Sequence, residues 1–370
     1  MRIVIACGGT GGHLFPGLAV AEALLARRHE VRLLVSEKAV DQAALRSLAV
    51  TGGSALSVRA LPAVGYTGMK EVWKFGTHLA RATRDCAELC REFAPHAVVG
   101  MGGFTSAPAV LAARLKRAPV VIHESNAIPG KANYWAGWLA SQIAVGLADC
   151  ARFFRRNHVT VTGTPIRAAL RRGKISDARP RLGLDPARLT VLVAGGSQGA
   201  HAINEAVACA LPWLDDWRDR VQFVHLSGKA DEQFMRDSYH TNSVNAVVME
   251  FCNQMELAYS AADIVIARSG AGTLTELAAF GLPSILIPFP HAAEDHQAHN
   301  ARVFERAGAA HMIRQSQLGG HHAEKGERLG EAIALLLGDE TKRRRMSDAA
   351  RALAVLDAEQ RIADLIEQQC

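Results

Sequence analysis

The sequence predicts an α/β protein built from two doubly wound, parallel-sheet, Rossmann-like domains. Short runs of valine, isoleucine and leucine alternate with amphipathic helical patterns in both halves of the 370-residue chain. Continuous apolar runs are typical of strands that are buried on both faces, as in a parallel sheet. A glycine-rich turn follows the first strand of each half, at residues 8–13 and 195–200. Two such halves are expected to face one cleft.

Each predicted strand is a short apolar run that ends at a turn. The predicted strands of the first half are 3–7, 30–35, 97–101, 119–124, 142–147 and 158–162. Those of the second half are 190–194, 221–226, 246–251, 263–267 and 284–288. Amphipathic stretches such as 18–28 and 107–116 predict the helices between them.

The domain boundary is expected at Pro165, which ends the last strand of the first half before a polar, basic stretch. The expected domains are therefore 1–164 and 165–345. After Gly338 a single helical pattern covers residues 339–369. We expect its part 346–370 to pack back against the first domain.

The composition is that of an ordinary globular protein, with 49% hydrophobic and 21% charged residues. No apolar run reaches the roughly 18 residues of a membrane span, and the first residues predict a strand rather than a signal peptide. These features lead us to expect a cytoplasmic protein. The seven cysteines are scattered, which favours small buried side chains over a disulfide framework or a zinc site.

Positive charge is concentrated in the first half of the chain. Residues 1–165 contain 19 Lys and Arg against 10 Asp and Glu, a net charge of +9. A surface of this kind suits an anionic partner such as phospholipid, nucleic acid or a phosphorylated substrate. Chance variation of charge along the chain is an equally good explanation at this point.

The first glycine-rich turn, GGTGGH, leaves a dinucleotide-binding function open. A dehydrogenase of this class has Gly-x-Gly-x-x-Gly and an acidic residue at the end of the second strand. Glu37 lies at the end of the second predicted strand, where that acidic residue is expected, but the glycine spacing of GGTGGH differs from Gly-x-Gly-x-x-Gly. The chain has no Gly-x-x-x-x-Gly-Lys-Ser/Thr sequence, which argues against a P-loop NTPase.

A more specific pattern is ARSGAGTLTE, at residues 267–276. It predicts a strand, a turn of small residues and a helix whose first N–H groups can bind a diphosphate. The hydroxyls of Thr273 and Thr275 add donors, and Glu276 can accept hydrogen bonds from a ribose diol. Helix capping followed by an ordinary surface glutamate is the alternative explanation.

Two further polar segments follow predicted strands, where open α/β sheets bind ligands. Residues 288–300 carry three histidines, two acids, Gln297 and Asn300. Hydrogen bonding to sugar hydroxyls fits this segment better than metal binding, because no Asp-x-Asp occurs in the chain. Residues 123–130, HESNAIPG, offer Asn126 as a two-sided hydrogen-bonding group or as part of an Asx turn.

Taken in order, these motifs resemble the MurG family, the N-acetylglucosaminyltransferases of peptidoglycan synthesis. The resemblance rests on GGTGGHLFPGLAVAEAL, VVGMGGFTSAP, HESNAIPGKAN, GGSQGAHAIN, MEFCNQM and RSGAGTLTELAAFGLPSILIPFPHAAEDHQAHNA, which span nearly the whole chain. It implies the two-domain GT-B glycosyltransferase fold. It also implies inverting transfer of GlcNAc from UDP-GlcNAc to the C4 hydroxyl of a polyprenyl-pyrophosphoryl-MurNAc-peptide, without a cofactor or metal.

The resemblance also implies which residues hold the donor. Ser197 and Arg167 are expected near the diphosphate, and the backbone of Cys252, where the family often has isoleucine, near the uracil. Gln297 and His296 are expected on the GlcNAc hydroxyls. The helix predicted within the ARSGAGTLTE pattern is expected to bind the diphosphate and the ribose. Its binding residues are Ala271, Gly272, Thr273, Leu274, Thr275 and Glu276. From the first domain, Thr10, Gly11, Gly12 and Asn126 are expected on the GlcNAc side.

The acceptor side is implied in the same way. The turn at residues 8–12 is expected to bind the acceptor diphosphate. His13 is the first candidate for the general base and Glu124 the second, with capping or substrate binding as the alternative role of His13. Phe104 stands where the family often has tyrosine, so a hydroxyl role there is absent.

Membrane association is the last expectation. Apolar residues lie among Lys70, Lys74, Arg81 and Arg84, a pattern that suits an anionic membrane surface. The expected membrane residues are Met69, Val72, Trp73, Phe75 and Leu79. Without the resemblance, a core-packed helix is the better explanation. With it, we expect peripheral binding at the cytoplasmic face of the inner membrane, other cell-wall synthesis proteins as partners, and no nucleic acid.

Four other functions stay open on the sequence. Another GT-B enzyme, such as a glycolipid glycosyltransferase, and a UDP-GlcNAc 2-epimerase share the general pattern. A dinucleotide-dependent dehydrogenase would need only the first turn and leaves the second turn and residues 267–276 unexplained. A non-catalytic nucleotide-sugar sensor would not need His13 and Glu276 together.

Overall fold

The computed structural model describes residues 1–9, 11–37, 56–61, 72–154, 158–171, 174–196, 198–318 and 326–370. The chain forms two compact units. Unit 1 contains Met1–Ala168 and Val355–Cys370, and unit 2 contains Ala169–Ala354. Two doubly wound parallel sheets, one in each unit, confirm the predicted fold class.

Unit 1 has a seven-stranded parallel sheet in the order β3-β2-β1-β4-β5-β6-β7. Its strands are β1 Arg2–Ala6, β2 Glu30–Ser36, β3 Leu56–Leu61, β4 Ala97–Gly100, β5 Val120–Glu124, β6 Gln142–Val145 and β7 Val159–Val161. The helices around it are α1 Gly11–Ala26, α2 Val72–Phe93, α3 Ser106–Leu115 and α4 Lys131–Ala136, with a 3₁₀ turn at Ala148–Phe153.

Unit 2 has a six-stranded parallel sheet in the order β10-β9-β8-β11-β12-β13. Its strands are β8 Leu189–Ala194, β9 Val221–Leu226, β10 Asn245–Met249, β11 Ile264–Ala267, β12 Ser284–Leu286 and β13 Ala310–Met312. The α-helices from residue 168 to residue 352 are α5 Ala168–Arg171, α6 Ala178–Arg181, α7 His201–Ala210, α8 Glu232–Thr241, α9 Met255–Ala261, α10 Ala271–Phe280, α11 His296–Arg306, α12 Glu327–Gly338 and α13 Glu340–Ala352. Short 3₁₀ segments lie at Leu211–Trp217, Ala293–Asp295 and Gln315–Gln317.

Two of the four edge strands in these sheets, β3 and β13, were not predicted. Strand β3 is exposed along most of its length, so it lacks the continuous apolar run of a buried strand. Strand β13 has only three residues. Both pair on one side only, which leaves a weak signal in the sequence.

Hydrophobic clusters pack on both faces of the sheet in unit 1 and against the sheet of unit 2. In unit 1, Ile3, Ile5 and Val99 are fully buried in the central strands β1 and β4. In unit 2, Val191, Val193 and Ile266 hold the corresponding places in β8 and β11. Full burial on both faces explains why these strands read as continuous apolar runs.

The predicted single helix at residues 339–369 is wrong. Helix α13 ends at Ala352, and α14, Ala358–Glu367, follows after a break. Helix α13 stays in unit 2, where the Ser347 hydroxyl donates a hydrogen bond of 2.7 Å to the carbonyl of Gly281. Only residues 355–370 join unit 1, a shorter segment than the expected 346–370.

Helix α14 packs on α1 in unit 1. Ile362 and Ile366 are fully buried there. The Arg27 guanidinium donates hydrogen bonds to Asp364 at 2.6 Å and to Glu367 at 2.9 Å. Apolar contact and charge-assisted hydrogen bonds therefore both attach the end of the chain to the first unit.

Two findings bear on the expected classes of site. None of the helices in the described part of the chain is long and apolar enough to cross a membrane. Within the same residues, no group of three or more His, Cys, Asp or Glu side chains is arranged to hold a metal ion.

Candidate functional site

The strand order reverses beside the first strand of each sheet, where doubly wound folds bind ligands. In unit 1, Ala6 of β1 pairs with Gly100 of β4. In unit 2, Ala194 of β8 pairs with Ala267 of β11. In each unit the turns that follow these two strands therefore leave the carboxyl edge of the sheet side by side.

The imidazole of His13 lies on the turn after β4. A Cβ atom added at Gly102 would be 3.0 Å from Cδ2 of His13, and one added at Gly103 would be 3.1 Å from Nδ1. Both glycines also have positive φ, 103° and 73°, which other residues rarely adopt. The GMGGF motif thus forms a bare turn that receives the histidine ring.

Helix α1 contains two predicted residues of the first glycine-rich turn, the one that follows β1. Gly11 is its first residue, and Gly12 is exposed. Pro16, inside the helix, has no N–H to donate to the carbonyl of Gly12. The first turn of α1 therefore offers both its N–H groups and one carbonyl for binding.

Glu124 organises the loop after β5. Its carboxylate is buried and accepts four hydrogen bonds. Asn126 supplies two of them, from its backbone N–H and its side-chain amide, both at 2.9 Å. The backbone of Gly130 and the amide of Asn133 supply the others, at 3.1 Å and 2.9 Å. This geometry favours a positioning role for Glu124, because its oxygens are already engaged.

His123 links β5 to the end of unit 1. Its Nε2 donates a 3.0 Å hydrogen bond to the carbonyl of Gly163. Burial lowers the pKa of His123, and the nearby His13 lowers it further, while the bond to Gly163 and the charge of Glu124 act in the opposite direction. His123 is therefore a neutral structural group beneath the loop that contains Glu124.

Unit 2 presents an open turn after β8. A Cβ atom added at Gly196, which has φ of 114°, would meet no other atom within 4 Å. The far side of the same turn packs tightly, since Gly199 lies against the carbonyl of Ser227. Helix α7 begins at His201, and its N-cap residue Ala200 has no side chain that can cap. The described part of the turn is thus packed tightly at Gly199 and open at Gly196.

The N-terminus of α10 is equally open. Its N-cap residue is Gly270, and Cβ atoms added at Gly270 or Gly272 would meet nothing within 4 Å. Leu274 is buried, so only its backbone can reach a ligand. Thr275 donates its hydroxyl proton to the carbonyl of Ala271 at 2.9 Å. The uncapped N–H groups of the first turn are the part of this helix suited to an anion.

Glu276 is held in a defined orientation one turn into α10. The buried Tyr259 donates its hydroxyl proton to Oε2 of Glu276 at 2.7 Å. The Glu276 side chain is half-buried. A carboxylate fixed in this way is suited to accept hydrogen bonds from a diol.

The segment after β12 is joined to the turn after β11. Arg268 donates to the carbonyls of Ile287 and Pro288, both at 3.1 Å, and burial lowers its pKa to about 10. The hydroxyl of Ser269 donates to the carbonyl of Gln297 at 2.8 Å. The two turns therefore form one polar surface.

Gln297 and His296 lie on this surface with part of each side chain already engaged. Oε1 of Gln297 accepts a 3.0 Å hydrogen bond from the backbone of Phe289. Nδ1 of His296 donates to the carbonyl of Ala293 at 2.8 Å. Glu294 and Asp295, directly before them, have φ of 55° and 54°, a strained conformation that is typical of functional sites.

The remaining predicted residues lie in several places. The guanidinium of Arg167 stacks over the ring of Phe15, 5.1 Å from its centre, within unit 1. Cys252 is buried in the loop after β10. Helix α2 contains Val72, Trp73, Phe75 and Leu79, and Leu79 is half-buried. Thr10, Ser197 and Met69 lie outside the described residues.

Sequence reasoning missed three residues that shape the sites. Tyr259 orients Glu276, Arg268 joins two turns, and Asn133 donates hydrogen bonds of 2.9 Å to Glu124 and to the carbonyl of His123. Oδ1 of Asn133 is buried and has no hydrogen-bond partner among the described residues. Arg268 and Asn133 stand inside the quoted motifs, but Tyr259 lies in an unremarkable helix and gave no signal.

The chain matches two family models in sequence. Residues 3–145 match the glycosyltransferase family 28 N-terminal domain, and residues 190–368 match the family 28 C-terminal domain. Together with the two parallel-sheet units, these matches define the class: the chain belongs to glycosyltransferase family 28, whose members have the GT-B fold.

Relatives that match this chain along nearly their full length share one enzyme name. A protein of Thermodesulfovibrio yellowstonii is 36% identical, covering 99% of this chain and 98% of its own length. One of Myxococcus xanthus is 36% identical, covering 99% and 92%. Both are named UDP-N-acetylglucosamine–N-acetylmuramyl-(pentapeptide) pyrophosphoryl-undecaprenol N-acetylglucosamine transferase. The crystal structure of Acinetobacter baumannii MurG superposes with a TM-score of 0.79 at 27% identity, covering 99% of both chains.

A general fold likeness extends further. The structure of UDP-GlcNAc 2-epimerase from Neisseria meningitidis, bound to UDP-GlcNAc, superposes with a TM-score of 0.69 at 13% identity, covering 100% of both chains. At that identity the likeness concerns the fold alone.

We predict that Glu124→Gln destabilises unit 1. The substitution turns an amide NH₂ toward two of the N–H donors that now bind the carboxylate, which leaves buried donors unsatisfied at a cost of about 1–3 kcal/mol. Thermal and denaturant unfolding should show a clear loss of stability. Glu88→Gln, at an exposed site on α2, is the matched control. Equal stability of the two variants would contradict the structural role of Glu124.

Proposed function

We propose that this protein transfers GlcNAc from UDP-GlcNAc to the C4 hydroxyl of the N-acetylmuramyl unit of undecaprenyl-pyrophosphoryl-MurNAc-pentapeptide. The observation that carries the proposal is the pairing of an uncapped α10 N-terminus with a carboxylate, Glu276, that Tyr259 holds in place. This arrangement matches the two anionic and diol-bearing parts of a nucleoside diphosphate sugar. The shared name of the full-length relatives supports the acceptor.

Unit 2 is the donor-binding unit in this proposal. The backbone of the turn at Gly196 and the first turn of α10 bind the diphosphate, and Glu276 binds the ribose. Gln297 uses the amide NH₂ that its bond with Phe289 leaves available, and His296 uses Nε2, to bind the sugar hydroxyls. As UDP leaves, the helix N–H groups stabilise the negative charge that develops on the diphosphate.

Unit 1 binds the acceptor and supplies the base. The turn after β1 and the first turn of α1 bind the acceptor diphosphate. The C4 hydroxyl oxygen attacks C1 of GlcNAc as the bond from C1 to the UDP oxygen breaks, and His13 takes the hydroxyl proton. The bare turn at Gly102 and Gly103 fixes the imidazole plane while Glu124 fixes the neighbouring loop.

The proposal is tested with labelled UDP-GlcNAc and a short-lipid analogue of the muramyl acceptor, with EDTA present. We expect stoichiometric formation of disaccharide product and UDP, because protein N–H groups can stabilise the leaving diphosphate. Turnover without acceptor that yields an epimerised sugar nucleotide would instead identify an epimerase. Absence of both products would overturn the proposal.

In the same assay, His13→Gln should lower kcat by about 10²- to 10⁴-fold, because the general base is lost. The dissociation constant for UDP, measured by calorimetry, should not change, since the donor binds unit 2. His158→Gln, at an exposed position before β7, serves as the control. Full turnover by His13→Gln would remove His13 from the role of base.

We further propose that unit 1 associates peripherally with an anionic membrane at the cytoplasmic face. Trp135 in α4 is 68% exposed, and Trp138, two residues after the end of α4, is 50% exposed. Leu115 is 73% exposed at the end of the contacting helix α3. Exposed basic side chains accompany them, among them Arg114, Lys116, Arg117 and Lys131. Aromatic side chains beside lysine and arginine suit the headgroup region of a bilayer. This surface belongs to unit 1, which also contains α2, the helix with most of the membrane residues expected from the sequence.

Replacing both tryptophans, as Trp135→Ser with Trp138→Ser, should lower binding to phosphatidylglycerol-containing vesicles by roughly tenfold, because interfacial burial of the rings is lost. Co-sedimentation measures the bound fraction. Trp213→Ser, which removes a 43% exposed tryptophan from unit 2, should bind as the unaltered protein does. Equal binding by all three proteins would refute this surface as the contact.

A further inference from the structure

A chain of polar side chains runs from the surface of unit 2 into its core, beneath the turn after β8. Nδ1 of the exposed His201 lies 3.0 Å from the carboxylate of Asp231. The amide of the fully buried Asn204 contacts Asp231 at 2.8 Å and Nε2 of His225 at 3.0 Å. Nδ1 of His225 lies 2.9 Å from the hydroxyl of the buried Tyr239. The mechanism proposed above uses none of these five groups.

The partners of Asn204 fix the direction of every bond in the inner part of this chain. Nδ2 of Asn204 contacts two acceptors, the carbonyl of Ser227 and Oδ2 of Asp231, both at 2.8 Å. An amide oxygen in that place would be repelled, so Oδ1 must face His225. Nε2 of His225 therefore carries the proton and donates it to Oδ1, and Nδ1 accepts from the hydroxyl of Tyr239.

The electrostatics agree with this single arrangement. Burial lowers the pKa of His225 to about 3, so the ring is neutral and has one donor and one acceptor nitrogen. Burial also raises the pKa of Tyr239 well above its usual value, which keeps the hydroxyl proton available to donate. Each polar group of Tyr239, His225 and Asn204 thus has a partner of the right kind.

The carbonyl that Asn204 holds is the support of the proposed donor turn. Ser227 and Gly228 follow β9, and they pack against Gln198 and Gly199 so closely that no Cβ atom fits at either glycine. Asn204 itself lies in α7, the helix that the donor turn begins. The hydrogen bond from Asn204 to the carbonyl of Ser227 therefore connects α7 to the end of β9. It holds the turn at Gly199 against the turn at Gly228.

We propose that His225 and Tyr239 are positioning residues for the donor diphosphate. Through the hydrogen bond from His225 to Oδ1 they anchor Asn204, and Asn204 holds the Ser227–Gly228 turn. This turn holds the backbone N–H groups around Gly196 in their binding geometry. The inference rests on the proposed donor role of unit 2. A role in core stability alone would be met equally well by apolar side chains of similar size.

The test uses Tyr239→Phe, which removes one hydroxyl and leaves the ring packing intact. Nδ1 of the buried His225 then loses its donor, so the ring is held less firmly and its hydrogen bond to Oδ1 of Asn204 is weakened. We expect the dissociation constant for UDP and the KM for UDP-GlcNAc to rise about threefold to tenfold, with the acceptor KM unchanged. Asp231→Ala, which removes the other acceptor of the amide near the surface, should act in the same direction.

Thr190→Val is the matched control. It removes a buried hydrogen bond of 3.0 Å, from Gln222, at the opposite end of the same sheet from the donor turn. It should lower the melting temperature as Tyr239→Phe does and leave UDP binding unchanged. If Tyr239→Phe and Asp231→Ala bind UDP as tightly as the unaltered protein, the positioning role is refuted. If the unaltered protein binds no UDP, the donor role of unit 2 fails, which is a separate result.

Discussion

The close approach of backbone to its neighbours at the carboxyl edges of the two sheets is the constraint on which the sites depend. In unit 1 the turn at Gly102 and Gly103 leaves just enough room for the imidazole of His13. In unit 2 the turns at Gly199 and Gly228 touch through their backbones, with no space for a side chain. A methyl group at any of these positions would separate parts that the proposed chemistry needs together.

Buried polar side chains then hold these bare turns in place. Glu124 accepts four N–H donors from the loop after β5 and from α4, Arg268 joins the turns after two strands, and Asn204 connects a helix to the carbonyl of Ser227. A glycine-rich turn has few side chains whose packing could fix its conformation. Hydrogen bonds from buried side chains beneath it fix the conformation instead. Such groups are costly when only partly satisfied, and in unit 2 the chain from Asn204 through His225 to Tyr239 satisfies them in a single arrangement.

Much of the fold could be predicted from the sequence because its central strands are buried on both faces. β1, β4, β8 and β11 read as continuous apolar runs, whereas the exposed strand β3 and the three-residue strand β13 carry no such signal. The break between α13 and α14 was missed because residues 353–357 contain neither glycine nor proline. The break follows from tertiary packing, since the two helices belong to different units.

The site was predictable where a motif specifies backbone, and not where a side chain acts through another. The motifs GGTGGH, GMGGF and RSGAGT each predict a turn from their glycines and small residues. The described residues of these turns follow β1, β4 and β11, at the carboxyl edges of the sheets, as expected. Tyr259 and His225 are separated from the residues they orient by 17 and 21 positions, and no local pattern connects them. Glu124 was predicted as a possible base because a carboxylate after a strand has that chemistry, but its four donors could be known only from the folded loop.

The uncapped helices show how stability and function are balanced in unit 2. Ala200 and Gly270 are the N-cap residues of α7 and α10, and neither can offer a side-chain oxygen to the first N–H groups. An alanine at this position costs roughly 1 kcal/mol relative to serine or aspartate. Asp231, the N-cap residue of α8, has a carboxylate, yet it accepts from Asn204 beneath the donor turn and does not cap its own helix. The chain thus leaves these helices without a side-chain cap where a diphosphate is proposed to bind, and it uses the N-cap residue of α8 to support the turn beside them.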